Sequence, residues 1–95
     1  MEVSVSFMGE LPAIVGGRSV CVTLPPDSTV RDLLAKLCTS YGETFACQIF
    51  SAPETLRQTM LVFVDGENIK GRGGLAAPLG AGQVEVIMLP MFGGG

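Results

Sequence analysis

Val3, Val5 and Phe7 are separated by Ser4 and Ser6, and the same alternation returns at Val20, Val22 and Leu24. A period of two places every second side chain on one face, so both segments read as strands with a single apolar face. Pro25-Pro26 stops the second strand, because proline has no N–H to give to a ladder. Gly9 to Gly17 reads as a connector containing Pro12 and Gly16-Gly17, with Leu11 and Ile14 as its candidate anchors. Two strands joined this way form a hairpin.

The period then changes. Val30, Leu33, Leu34 and Leu37 follow i, i+3, i+4, i+7 spacing, and Tyr41 extends the stripe, which predicts an amphipathic helix with its apolar face in the core. Thr29 can cap it, acidic Asp32 falls in the first turn, and Gly42 supplies the stop. Glu43 to Gln58 is less regular and reads as a short helical turn followed by a loop, interrupted by Pro53. Met60 to Val64 is an unbroken apolar run, the mark of a central or doubly buried strand. Asp65-Gly66 is a tight-turn signal, and Glu67-Asn68-Ile69 reads as a brief return strand. Gly71-Arg72-Gly73-Gly74 reads as a flexible loop, Leu75 to Leu79 as a short turn limited by Pro78, and Gly80-Ala81-Gly82 as another turn. Val84 to Leu89 is the last strand, ended by Pro90 and followed by Met91-Phe92-Gly93-Gly94-Gly95.

The order strand, strand, helix, strand, short strand, strand is satisfied by an α+β fold. One main helix packs on one face of a mixed sheet of four to five strands, with the first and last strands parallel. This is the β-grasp (ubiquitin-like) arrangement. It divides the chain into a domain over residues 1–90 and a flexible glycine tail over 91–95.

Composition narrows the chemistry. Only 16 % of the 95 residues are charged and 47 % are hydrophobic, against about 25 % charged in an ordinary soluble domain. The absence of His excludes His-based acid–base chemistry, Ser-His-Asp and Cys-His sites, and His-containing zinc sites. A net charge of −3, with Arg18, Arg31, Arg57 and Arg72 scattered, argues against a nucleic-acid partner. Cys21, Cys38 and Cys47 are odd in number and form no CxxC pair. They read as neither a disulfide framework nor a metal knuckle, so no metal site is expected. No stretch reads as a signal peptide or reaches the ~20 apolar residues of a membrane span, so the expected location is the cytoplasm, with no membrane partner. Gly71-Arg72-Gly73-Gly74 lacks the Lys-Ser/Thr that a P-loop needs, because Leu75-Ala76 follows. Asp65 and Glu67 flank a turn and read as solvated.

The chemistry that remains is at the main chain. A terminal glycine run reads either as a frayed end or as a device. Gly93-Gly94-Gly95 follows directly on a strand, and glycine reaches backbone angles that other residues avoid, so such a tail can thread a narrow channel. Its reactive group is a carboxylate, which can be activated by adenylation and then attacked.

Four segments resemble the ubiquitin-like sulfur carriers of the MoaD/ThiS family. They are Thr29-Val30-Arg31-Asp32-Leu33-Leu34, Val62-Phe63-Val64-Asp65-Gly66-Glu67-Asn68-Ile69, Gly73-Gly74-Leu75-Ala76 and Leu89-Pro90-Met91-Phe92-Gly93-Gly94-Gly95. The Gly-Gly-Leu loop and the length are most similar to the cysteine-biosynthetic carrier type. The resemblance implies a protein co-substrate rather than an enzyme, or the small subunit of a sulfur-transfer synthase. A ubiquitin-activating-like enzyme would adenylate Gly95 with ATP, and no cofactor would be bound by the chain itself. A sulfurtransferase, a cysteine desulfurase or sulfide would then supply sulfur, leaving a thiocarboxylate. An acceptor synthase would use that group on a molybdopterin precursor, a thiazole precursor or an activated serine. Two other readings stand beside it. One is a protein modifier joined through Gly95 to lysines, for which Lys36 and Lys70 are the chain's own amines. The other is an interaction-only module with an inert tail.

The sequence departs from the family pattern in three places. Gln83 stands where an Asp is usual, one extra residue falls between Gly82 and Pro90, and Phe92 is bulkier than the small residue common there. Counted from the end, Gly94-Gly95 is the diglycine and a strand bulge near Gly82 absorbs the extra residue. Counted from Gly82, Gly93-Gly94 is the diglycine and Gly95 needs trimming.

The apolar excess has a predicted use. If Val84, Val86 and Met88 face the helix, Ile87 and Leu89 face outward beside Met91 and Phe92, and Phe63 or Met60 joins them. This open face would dock the activating enzyme. Alternatively, some of these residues pack under the 43–58 segment.

Overall fold

Residues 1–80 and 82–91 are described in a computed structural model. The alternating segments form the strands their pattern predicts. β1 (Glu2–Phe7) and β2 (Ser19–Thr23) pair antiparallel, with Val3 opposite Val22 and Val5 opposite Val20. The last strand, β7 (Gln83–Pro90), lies parallel to β1, with Val3 opposite Val84. On its other side β7 runs antiparallel to β5 (Met60–Val64), with Val62 opposite Met88. β6 (Glu67–Asn68) adds a short edge, giving a five-stranded mixed sheet in the order β2-β1-β7-β5-β6. Asp65 and Gly66, at φ +49° and +85°, make the two-residue turn between β5 and β6.

The main helix, α2 (Val30–Tyr41), crosses one face of this sheet and buries Val30, Leu33, Leu34 and Leu37. Its start is a reciprocal cap. The Thr29 N–H donates to Asp32 Oδ2 at 2.9 Å, and the Asp32 N–H donates to Thr29 Oγ1 at 3.4 Å; such caps contribute about 1 kcal/mol. Gly42, at φ +84°, ends α2 and turns the chain into α3 (Glu43–Ile49). The β-grasp expectation therefore stands: an α+β mixed sheet with one main helix on one face.

Three details differ from the sequence reading. The Gly9 to Gly17 connector contains a helix, α1 (Leu11–Val15), which buries Leu11. Pro12 suits its first turn and Gly16, at φ +80°, closes it, but five residues are too few to show a helical period. Segment 43–58 is more ordered than a turn and a loop. The seven-residue α3 buries Phe45 and Ile49, and a small hairpin follows, β3 (Phe50–Ala52) with β4 (Thr55–Leu56). Phe45 meets Phe7 edge-on at 6.0 Å between ring centres and lies 5.4 Å from Tyr41. Such pairs favour one packing over its alternatives. Finally, residues 69–79 are tied down rather than loose. They hold two 3₁₀ turns, Ile69–Gly71 and Gly74–Ala76, and bury Ile69, Ala77 and Leu79. The Val30 N–H donates to Ala77 O, and the Leu79 N–H to Ser28 O, both at 3.0 Å.

The bulge expected near Gly82 does not fall within the strand. β7 keeps an unbroken register from Gln83 to Met88 against β1 and from Val86 to Pro90 against β5. Ala81 lies outside the described residues. No helix among the described residues is long and apolar enough to cross a membrane. All three cysteines are free, and burial pushes the Cys38 thiol pKa up.

Candidate functional site at the exit of the last strand

Strand alternation decides which side chains are free for a partner. Val84, Val86 and Met88 of β7 point to α2 and are buried, whereas Ile87 is 39 % exposed and Leu89 is half-buried on the opposite face. On β5, Phe63 lies opposite Ile87 and Leu61 opposite Leu89, both half-buried. Met91 and Met8 are exposed at the same end. Met8 reaches this group because its N–H donates to Met88 O at 3.0 Å, carrying the β1 line one residue past the strand.

The structure thus aligns Phe63, Ile87, Leu89 and Met91 along the outer face, from the middle of β7 to the end where the chain leaves the sheet. Met60 does not belong to the group. It is 1 % exposed and, two residues before Val62, shares the inner face. In the 43–58 segment Phe45 of α3 sits against Phe7 on the helix side, while Cys47 and Arg57 border the same cleft as Met91. Phe92, Gly93, Gly94 and Gly95 lie outside the described residues.

The exit itself is held by contacts that the sequence does not advertise. Pro90 stands opposite Met60 in a non-hydrogen-bonded pair, so its missing N–H leaves the β5 ladder intact, and the next pair carries the Met91 N–H donation to Thr59 O at 2.6 Å. Gly9, at φ +63°, passes beside Pro90 so closely that a Cβ there would lie 2.8 Å from Pro90 Cγ. Arg57 fastens the neighbouring loop. Its N–H donates to Ile49 O at 2.8 Å and its Nε to Cys47 O at 2.9 Å, while the Met60 N–H donates to Arg57 O at 3.0 Å. A cleft of ≈ 290 Å³ opens here, bordered by Glu10, Cys47, Arg57, Thr59 and Met91. Sequence reasoning missed Met8, Gly9, Leu61 and Thr59. Leu61 was available from parity once Met60 is assigned inward. Gly9 and Thr59 act through β7, far away in sequence, and carry no local signal.

The other side-chain candidates are structural. Asp65 Oδ1 accepts the Glu85 N–H at 3.0 Å, and the Asp65 N–H donates to Glu85 O at 2.8 Å, clamping the turn to β7. Glu67 pairs with Arg72 at 3.3 Å. Among the described residues there is no cluster of three or more His, Cys, Asp or Glu able to hold a metal ion. The arrangement is suited to presenting a chain end beside an apolar face.

The sequence model of the ThiS family matches residues 5–95. Among solved structures, the small archaeal modifier protein 1 of Methanosarcina acetivorans superposes with a TM-score of 0.83 at 24 % identity, covering 99 % of this chain and 96 % of that one. A chain of the Amycolatopsis orientalis BexX/CysO complex gives 0.76 at 26 % identity, over 98 % and 99 %. Mycobacterium tuberculosis CysO gives 0.74 at 26 % identity, over 95 % and 99 %. The comparison with curated protein sequences gave no match.

Proposed function

The chain belongs to the ThiS family, and from that premise we propose that it is a sulfur carrier whose Gly95 carboxylate becomes a thiocarboxylate. Its fold is that of the small ubiquitin-like carriers and modifiers. The carrier reading draws its support from one observation: the family match continues through the glycines, directly beyond a strand pinned as far as Met91.

In this reading the carboxylate attacks the α-phosphorus of ATP on a partner enzyme, releasing pyrophosphate and leaving an acyl adenylate. Sulfide then attacks the acyl carbon, the C–O bond to phosphate breaks, and AMP departs. A persulfide donor does the same through its terminal sulfur, and a thiol then reduces the resulting S–S bond. Activation converts a poor leaving group into a good one, so no side chain of the carrier need act as acid or base. The chain contributes binding and position. Phe63, Ile87, Leu89 and Met91 form the face on which the activating enzyme docks, which brings Gly93, Gly94 and Gly95 to its nucleotide. The chain itself holds no cofactor. Its three free thiols suit a reducing cytoplasm.

The test is intact-mass measurement after incubation with ATP, the activating enzyme and a sulfur donor. A gain equal to replacing one oxygen by sulfur is the expected result, and an unchanged mass with ATP consumption absent overturns the reading. Offering the thiocarboxylate to molybdopterin, thiazole and serine-derived acceptors then identifies the pathway. A second reading, protein modification through Gly95, is favoured by the likeness to small archaeal modifier protein 1. It predicts ladders of heavier conjugates in place of the mass gain.

A further inference from the structure

β2 is an edge strand, with β1 on one side and no strand on the other among the described residues. Arg18 O accepts the Phe7 N–H at 2.8 Å, and the Leu24 N–H donates to Met1 O at 3.0 Å. Along the register between these bonds, antiparallel alternation makes Val20 and Val22 the residues bonded to β1. The N–H and C=O groups of Ser19, Cys21 and Thr23 therefore point away from the sheet. Among the described residues one of these groups has a partner: Thr23 O accepts from the Lys36 ammonium at 2.9 Å. On the inner side of this edge, β2 and α2 leave a groove of ≈ 250 Å³ between them, walled by Val20, Val22, Leu37 and Tyr41 with Lys36 and Ser40 beside them. Tyr41 is set in place by an edge-on contact with Phe7, 6.0 Å between ring centres. Both ends of the edge carry a cation. Arg18 is exposed just before β2, and Lys36 stands at Thr23. Glu2 is turned to the outer face, where it accepts from Thr23 Oγ1 at 2.7 Å.

We propose that this edge and its groove dock an extended acidic peptide segment of a partner protein, which joins the sheet as a further strand beside β2. The segment exchanges backbone bonds with Ser19, Cys21 and Thr23. Every second side chain of it enters the groove, where Val20, Val22 and Tyr41 receive apolar residues. An acidic side chain at either end of that same face meets Lys36 or Arg18. Lys36 then moves from Thr23 O to the carboxylate and releases a carbonyl to the new ladder. A second copy of this chain fits the edge poorly. Antiparallel pairing of β2 with itself about Cys21 sets Thr23 opposite Ser19 of the other copy, and so brings Lys36 toward that copy's Arg18. Like charges oppose this pairing, a common use of lysine at sheet edges. β1 and β7 separate β2 from β5, and the apolar residues of β5 and β7 lie on the opposite face. The segment and an activating enzyme can therefore bind together, and this docking does not rest on the chemistry of the tail.

The probe is a peptide with blocked ends, Asp-Thr-Val-Thr-Val-Thr-Asp, titrated into the isotope-labelled full chain and followed by NMR. Its aspartates and valines share one face, so it fits the edge in either direction. Expected are resonance changes centred on the amides of Ser19, Cys21 and Thr23, and slower hydrogen exchange at Cys21 and Thr23. Binding should be about twofold to fivefold tighter than for the same peptide with lysine in place of aspartate, the worth of an exposed ion pair. Lys36→Glu should cancel or reverse that preference. Cys21→Pro should abolish binding, because it deletes a donor that points away from β1; if that variant does not fold, Lys36→Glu carries the test. Absence of changes at the edge, changes confined to Ile87 and Leu89, or equal affinity for both peptides overturns the proposal. Protection of the Cys21 amide that rises with protein concentration, without peptide, makes a second copy the occupant and overturns it as well.

Discussion

The two faces of the sheet are made by the same strands, yet they answer to different demands. On the inner face Val3, Val5, Val62, Val84, Val86 and Met88 are at most 2 % exposed, closed over by α2 and by Phe45 of α3. The outer face is divided. Along β1 and β2 it carries Ser4, Ser6, Cys21 and Thr23, and Thr23 Oγ1 donates to Glu2 at 2.7 Å. Along β5 and β7 it carries Leu61, Phe63, Ile87 and Leu89. Inner-face side chains are apolar because folding needs them so. Outer-face side chains are under no such demand, as the serines show. The apolar residues along β5 and β7 are the part of this face that the proposed docking uses.

That contrast can be broken in steps. Phe45→Ala empties an inner contact where a large aromatic ring is fully buried. A loss of about 3–5 kcal/mol is expected in urea unfolding, and a loss below that range would show that α3 is not part of the core. Gly9→Ala acts between the faces. A left-handed conformation costs an ordinary residue about 1–2 kcal/mol, and the Cβ contact with Pro90 adds to it, so a lower stability and a displaced Pro90 resonance are expected by NMR. Ile87→Asp on the outer face should cost no more than about 1 kcal/mol of stability, yet sharply slow adenylation. Unchanged adenylation kinetics in both Ile87→Asp and Leu89→Asp would remove the docking role. The smallest effect concerns Cys38, whose thiol pKa is raised by burial in the folded chain. A group raised on folding contributes its stability below its unfolded pKa and loses it as pH climbs through the folded one. Stability should therefore fall at alkaline pH with a steeper slope than in Cys38→Ala, and a thiol reagent should label exposed Cys21 and Cys47 before Cys38.

Local chemistry wrote much of the fold into the sequence. The Thr29–Asp32 cap, the leucine stripe, the Asp65-Gly66 turn and the alternation in β1 and β7 each involve residues within a few positions of one another, so their periods and spacings can be read directly. The orientation of Ile87 and Leu89 was readable for the same reason. By contrast α1 is one turn long, and the small hairpin of β3 and β4 pairs residues too few to show a period. Residues 69–79 look loose by composition, because their order comes from Ser28 and Val30, some fifty positions earlier, which no local pattern records.

Parity and period thus settled, from sequence alone, which residues line each face of β1, β2, α2 and β7, and composition left the chain end as the candidate for chemistry. Only the tertiary structure decided what meets at that end. Pairing β7 between β1 and β5 brings Met8, Gly9 and Thr59 to the exit of the tail. Met8 and Thr59 are joined to β7 by backbone hydrogen bonds. Every residue offers the same N–H and C=O groups, so those contacts depend on topology and register rather than on side-chain identity.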